Sequence, residues 1–164
     1  MPTQINALAL HPDFPEKVWV VVEQPSQEPY RLKYDPVTGT FSRLTIISLT
    51  YERGFSGAYG WIGGLGIPPE PHFDVLLVTR QNPQPGDILE AYICGVFFRA
   101  DNDHKFVALD PELKGSVVRA DLDALDPETQ AELKRLYPRI GENEGWFDAE
   151  TACSFLRENQ PVHD

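Results

Sequence analysis

Apolar residues fall in short β-type runs through the first two thirds of the chain and at helical spacing through the last third. The runs lie at 18–22, 30–34, 41–48, 74–79, 87–98 and 105–109. Turn signals bound them: Asp35-Pro36-Val37-Thr38-Gly39, Pro83-Gln84-Pro85-Gly86-Asp87 and Asp101-Asn102-Asp103. Proline and glycine there preset or permit turn backbone angles, and Asp and Asn side chains bond back to their own main chain. Short strands at this spacing predict a small antiparallel barrel or sandwich.

After residue 120 the pattern changes. Asp126-Pro127-Glu128 supplies an N-cap, a proline at the first helical position and an early acid. Leu133, Leu136 and Tyr137 then share one face at i, i+3 and i+4. A second helix starts at Asp148 and turns Ala152, Phe155 and Leu156 inward. Strands first and helices last make the class α+β around a barrel core. At 164 residues, with no repeat or linker, residues 1–164 read as one domain with room for a core.

Charge narrows the partners. Fourteen Lys and Arg against 25 Asp and Glu leave a net charge of -11. Such a surface repels a nucleic-acid backbone and anionic lipid, so neither is expected as a partner. A small phosphate ion is different, because a bound divalent metal reverses the local field. Cys94 and Cys153 show no paired spacing. The first residues carry no basic, apolar signal pattern, and no run approaches membrane length, so a cytoplasmic protein is expected.

Local motifs add little. The cluster Gly60, Gly63, Gly64 and Gly66 lacks the third glycine of a dinucleotide fingerprint, since Pro69 stands there, and no Gly-Lys-Ser/Thr follows. It reads as a tight loop requiring positive φ. Asp101-Asn102-Asp103 with Glu112 imitates a calcium loop, but Lys105 and Phe106 occupy positions that need a ligand and a glycine. His11, His72, His104 and His163 form no zinc-type spacing, and no Ser- or Cys-based nucleophile arrangement is present.

A longer pattern is more specific. Tyr59-Gly60-Trp61-Ile62 followed by Asp74-Val75-Leu76-Leu77-Val78 resembles the soluble inorganic pyrophosphatases. Those read Tyr-Gly-Phe/Tyr-Ile-Pro and then Asp-x-Asp-Pro-x-Asp-Val-Leu-Val at the same separation. The likeness runs on through Pro85-Gly86, Gly95-Val96 and Lys105-Phe106-Val107-Ala108. Upstream, Val20-Val21-Val22-Glu23-Gln24-Pro25 and Lys33-Tyr34-Asp35 look like the family's Ile-Glu-Ile-Pro and Lys-Tyr-Glu. The segment from Tyr137 through Gly145-Trp146 to Ala152 is similar to its C-terminal part.

That resemblance implies a small OB-like five-stranded antiparallel β-barrel with flanking C-terminal helices. It also implies hydrolysis of pyrophosphate to phosphate with Mg2+, for which Mn2+ substitutes, and a homo-oligomer. Several metals bound by clustered carboxylates neutralise the anion and activate water, while Lys, Arg and Tyr hold the phosphates. By position, the resemblance gives Asp74 and Tyr59 to catalysis, and Asp74, Asp101, Asp103 and Glu23 to metal. It gives Lys33, Asp35, Arg43, Lys105, Tyr137 and Arg139 to phosphate, with Arg53 the alternative to Arg43.

The chain also departs from the family. Pro69 and Pro71 replace the first two aspartates of the triplet, Phe55 replaces a tyrosine, and Pro138 replaces a phosphate-binding lysine. Glu70 and His72 lie in the same loop as candidate partial substitutes, which the resemblance does not place. Removing one preorganised charge commonly slows an enzyme about 10²–10³-fold, and losing two metal ligands costs more. Three readings follow. One is a weakened metal-dependent hydrolase of pyrophosphate or another phosphoanhydride. The second is a silent pyrophosphatase-like protein that binds a ligand or another subunit. The third is a fold that has kept its shape without its carboxylate chemistry.

Overall fold

A computed structural model describes residues 2–114 and 120–161; His163 lies outside them. Five strands, β1 (Lys17–Gln24), β4 (Ala58–Ile62), β5 (Asp74–Val78), β6 (Ile88–Phe98) and β7 (Lys105–Leu109), form a sheet in the order β1-β4-β5-β7-β6. Pairing of β1 with β6 closes it into a barrel, and β8 (Gly145–Asp148) adds to the outer edge of β6. Between β1 and β4 the chain makes a separate ribbon of β2 (Tyr30–Asp35) and β3 (Thr40–Ile47). Short helices α1 (Pro2–Asn6), α2 (Leu49–Glu52) and α3 (Pro111–Lys114) punctuate the connections. A 3-10 turn at Leu122–Ala124 precedes the two longer helices, α4 (Pro127–Leu136) and α5 (Ala149–Glu158).

The barrel is mixed, not purely antiparallel as expected from the sequence. β5 and β7 run parallel, with Asp74 opposite Lys105 and Val78 opposite Leu109. The reason is parity: strand direction cannot alternate all the way round a ring with an odd number of members. One parallel pair is obligatory, and the crossover from β5 through β6 to β7 places it here.

The barrel strands read as nearly unbroken apolar runs because both faces are covered. Val18, Val20, Val75, Leu77, Ile93 and Phe106 meet in one cluster, joined by Ala152, Cys153 and Leu156 of α5. The alternate residues Leu76, Val78, Cys94 and Val107 pack under Leu133 and Leu136 of α4. Val21 and Trp61 instead pack against Tyr34 of the ribbon and Ile5 of α1. Both long helices start where capping residues predicted. Asp126 accepts from the Thr129 amide at 2.8 Å and Asp148 from the Thr151 amide at 2.9 Å.

The glycine cluster divides. Gly64 and Gly66 take positive φ, +89° and +94°, as a tight loop requires. Gly60 does not: it lies inside β4, opposite Val22 on one side and Val75 on the other. A Cβ there would sit 1.9 Å from the Val21 carbonyl oxygen, so the requirement is close backbone approach. Gly60→Ala is expected to destabilise the fold by about 3 kcal/mol through forced strand separation, read from urea unfolding. A loss under about 0.5 kcal/mol, the level of an ordinary surface change, would contradict that packing.

Candidate functional site

The parallel register of β5 and β7 places their first residues side by side at one end of the barrel. Lys105 there is buried and directs its ammonium to three oxygens. It donates to Asp74 Oδ2 at 2.7 Å and to the Tyr59 hydroxyl at 2.9 Å, and lies 3.0 Å from Asp103 Oδ1. Three acceptors match the three donors of an ammonium. Burial opposes its charge, but Tyr59 and Asp74 beside it outweigh that and hold the pKa well above the ordinary lysine value.

The other oxygen of Asp74 is also taken. His72 Nε2 stands 3.0 Å from Asp74 Oδ1, and its Nδ1 lies 2.7 Å from the Glu70 carbonyl oxygen. Both ring nitrogens face acceptors, which fits a ring protonated at both positions. Burial works against the charge of Asp74, yet the His72 hydrogen bond and the Lys105 charge overcome it and hold the carboxyl far below the usual range. Burial, aided by the Asp74 charge, raises Asp103 in spite of Lys105. Glu23, near the end of β1, is pushed up to about 7 by burial, against the opposing pull of Arg31. Burial also raises Tyr59 and Tyr137.

Two cavities meet along a wall of Glu23, Arg31, Asp74 and Asp103. The smaller, about 160 Å³, reaches Lys105, Tyr59, Tyr137, Arg99, Ser48 and Thr50. The larger, about 600 Å³, opens between the ribbon, the loop 68–73 and the end of α5, and includes Lys33 and His72. Of the expected residues, Tyr59, Asp74, Asp103, Lys105, Glu23, Tyr137 and Lys33 therefore converge on adjoining space.

The remaining expected residues stand elsewhere. Asp35 Oδ1 accepts from the Val37 amide at 2.9 Å and closes the ribbon turn. Arg43 pairs with Glu28 at 2.6 Å and lies over the Tyr30 ring. Arg53 donates to the Leu136 carbonyl, so neither arginine of that pair lines either cavity. Asp101 pairs with Arg99 at 3.1 Å and accepts from the Asp103 amide at 3.0 Å. Arg139 is exposed and outside both cavities.

Sequence reasoning did not select Arg31, Arg99, Ser48 or Thr50. Arg31 was within reach of it: residue i-2 from Lys33 on one strand must share its face. Leu32 and Tyr34 point into the protein, and Arg31 and Lys33 point to the cavity. Among the described residues neither cation has a hydrogen bond or an ion pair within 4 Å.

The donor set fits several magnesium ions poorly. Hard cations need carboxylate oxygens that are charged and open. His72 and Lys105 occupy both oxygens of Asp74, and Asp103 shares Lys105. Among the described residues no three His, Cys, Asp or Glu side chains are grouped to hold one ion.

No family model and no curated protein matches the sequence. Solved structures do match in fold. The inorganic pyrophosphatase of Neisseria gonorrhoeae superposes with a TM-score of 0.72 at 23% identity, over 94% of this chain and 95% of that one. That of Ehrlichia chaffeensis gives 0.71 at 18%, over 92% and 97%. That of Thermus thermophilus gives 0.69 at 20%, over 94% and 95%. Among the described residues no helix is long and apolar enough to cross a membrane. The likeness thus spans almost the full length of both partners, and the fold is that of the soluble inorganic pyrophosphatases.

Proposed function

We propose that this chain is a pyrophosphatase-like protein that binds a small phosphate-bearing anion with its own cationic side chains, and that multi-metal hydrolysis has been lost. One observation carries the reading: His72 and Lys105 each hold an oxygen of Asp74, at 3.0 and 2.7 Å. In the family that the chain resembles, the equivalent carboxylate serves metal. Here its charge is neutralised by protein. Arg31 and Lys33, on the cavity wall without ion pairs among the described residues, supply the positive charge that a phosphate needs. The compartment is expected to be cytoplasmic.

Calorimetry with pyrophosphate in EDTA is expected to show salt-sensitive binding. Arg31→Gln should weaken it about tenfold or more, the equivalent of one charge-assisted contact. Phosphate release is expected to be absent with Mg2+ or Mn2+, even with protein near the pyrophosphate concentration. Metal-dependent release that Asp74→Asn abolishes would restore the weakened-hydrolase reading and overturn this one.

A further inference from the structure

The larger cavity is out of scale for a bare inorganic anion. At about 600 Å³ it lies within the roughly 300–1,000 Å³ of sites that enclose drug-sized organic ligands, whereas the adjoining 160 Å³ compartment suits a phosphate group. The two differ in chemistry as well as size. The small one is walled by Arg31, Lys105, Arg99, Tyr59, Tyr137, Ser48 and Thr50 together with the carboxyls of Glu23, Asp74 and Asp103, nearly all hydrogen-bonding side chains. The large one takes a substantial apolar share of its lining from Pro68, Pro69, Pro71, Phe73, Leu44 and Phe155. Two of those prolines stand where the related family carries aspartates. On that resemblance two carboxylates are replaced by apolar rings, with Glu70 and His72 remaining in the same loop.

From this bipartite shape we infer that the ligand is a nucleoside phosphate, its phosphates held at the Arg31 junction and its base lodged in the large cavity. The inference rests on the anion-binding reading above and names the rest of the ligand. Arg31 is the cation of the shared wall, beside Glu23, Asp74 and Asp103, where Asp74 is already held by His72 and Lys105, and Lys33 adds a second cation to the larger space. This lining is not purely apolar: the amides of Asn102, Asn159 and Gln160, with Glu70, His72 and His104, share it with the prolines and phenylalanines. Apolar faces mixed with amide donors and acceptors suit a heterocycle with a hydrogen-bonding edge better than an alkyl chain. The walls also come from three separate elements: Leu44 from the ribbon, the prolines from the loop before β5, and Phe155 from α5. Phe155 is held edge-on to Phe73 and His104, with ring centroids 6.1 and 5.2 Å apart, which fixes its orientation in the wall.

The test is calorimetric and is done in EDTA with the full chain. ADP, GDP, CDP and UDP are compared with methyl diphosphate, which has the same phosphates and no base, and with pyrophosphate. At least one nucleoside diphosphate is expected to bind about tenfold more tightly than methyl diphosphate, a gain typical of one stacked base. Phe155→Ala should reduce that advantage to about threefold or less, with methyl diphosphate affinity unchanged. Leu44→Glu, on the half-buried face of the ribbon and away from the core, should do the same where Phe155→Ala disturbs folding. If all four nucleotides match methyl diphosphate while pyrophosphate binds, the base site is wrong and the anion pocket stands. If neither pyrophosphate nor methyl diphosphate binds, the anion pocket itself fails and this inference falls with it.

Discussion

Lys105→Ala is expected to lower the stability of the fold by about 3–5 kcal/mol, the cost of removing one partner from a buried ion pair. Its ammonium serves Asp74, Asp103 and Tyr59 at once, and its side chain is only 7% exposed against 12% for Asp74. After truncation Asp74 keeps His72 on one oxygen and loses its only other cationic partner among the described residues. Lys105→Met keeps the stem volume and should be almost as damaging, which separates lost charge from lost packing. Adding Asp74→Asn to Lys105→Met should recover a substantial part of the loss, because the orphaned carboxylate is then gone. Urea unfolding of the three variants reads all of this. A cost under about 1 kcal/mol for Lys105→Ala, the level of an exposed pair, would mean that water reaches the cluster freely.

That cluster shows what the chain alone reveals and what it hides. The strands were legible because each is a short apolar run between turn residues, and the long helices because Asp126 and Asp148 cap them. β4 was half-hidden by Gly60, which looks like a loop residue and is in fact a strand residue with no room for a Cβ. β8 has four residues and no alternation to detect. The barrel itself was anticipated, but its parallel pair follows from closing a five-membered ring, a property of no single segment.

For the site, identity and partner separate in the same way. Asp74, Lys105 and Tyr59 were selectable by resemblance. That His72 and Lys105 would divide Asp74 between them depends on the β5–β7 register and on the loop before β5. Arg43 was a reasonable phosphate residue until Glu28, 15 positions earlier, folded against it across the ribbon. Arg31 was overlooked although strand alternation places it beside Lys33. The net charge of -11 also misleads locally, since Arg31, Lys33, Arg99, His72 and Lys105 balance Glu23, Glu70, Asp74 and Asp103 around two adjoining cavities. Distant acids set the long-range field, which salt screens over about 10 Å, while these cations act at contact distance.

Glu23→Gln is expected to make the protein more stable than the parent at pH 8 and to leave it nearly unchanged near pH 5. Burial raises this carboxyl from 4.5 to about 7 in the folded chain, so between those values the folded state binds the proton more strongly than the unfolded state does. Stability therefore falls as pH rises through that window, and the loss is complete only above the folded value. A shift of this size corresponds to about 3 kcal/mol by proton linkage. Glutamine keeps the shape and removes the titration, so the variant should lack that share of the decline when urea midpoints are compared at each pH. Millimolar Mg2+ makes the same experiment a test of the metal question. A cation held by Glu23 would favour the ionised form, lower its folded pKa and flatten the parent's decline between pH 5 and 8. With Asp74 already bridged by His72 and Lys105, the curve is expected to be the same with and without the ion. A flattening that Glu23→Gln removes would mean that the carboxylates still gather metal and that the side-chain cations yield to it.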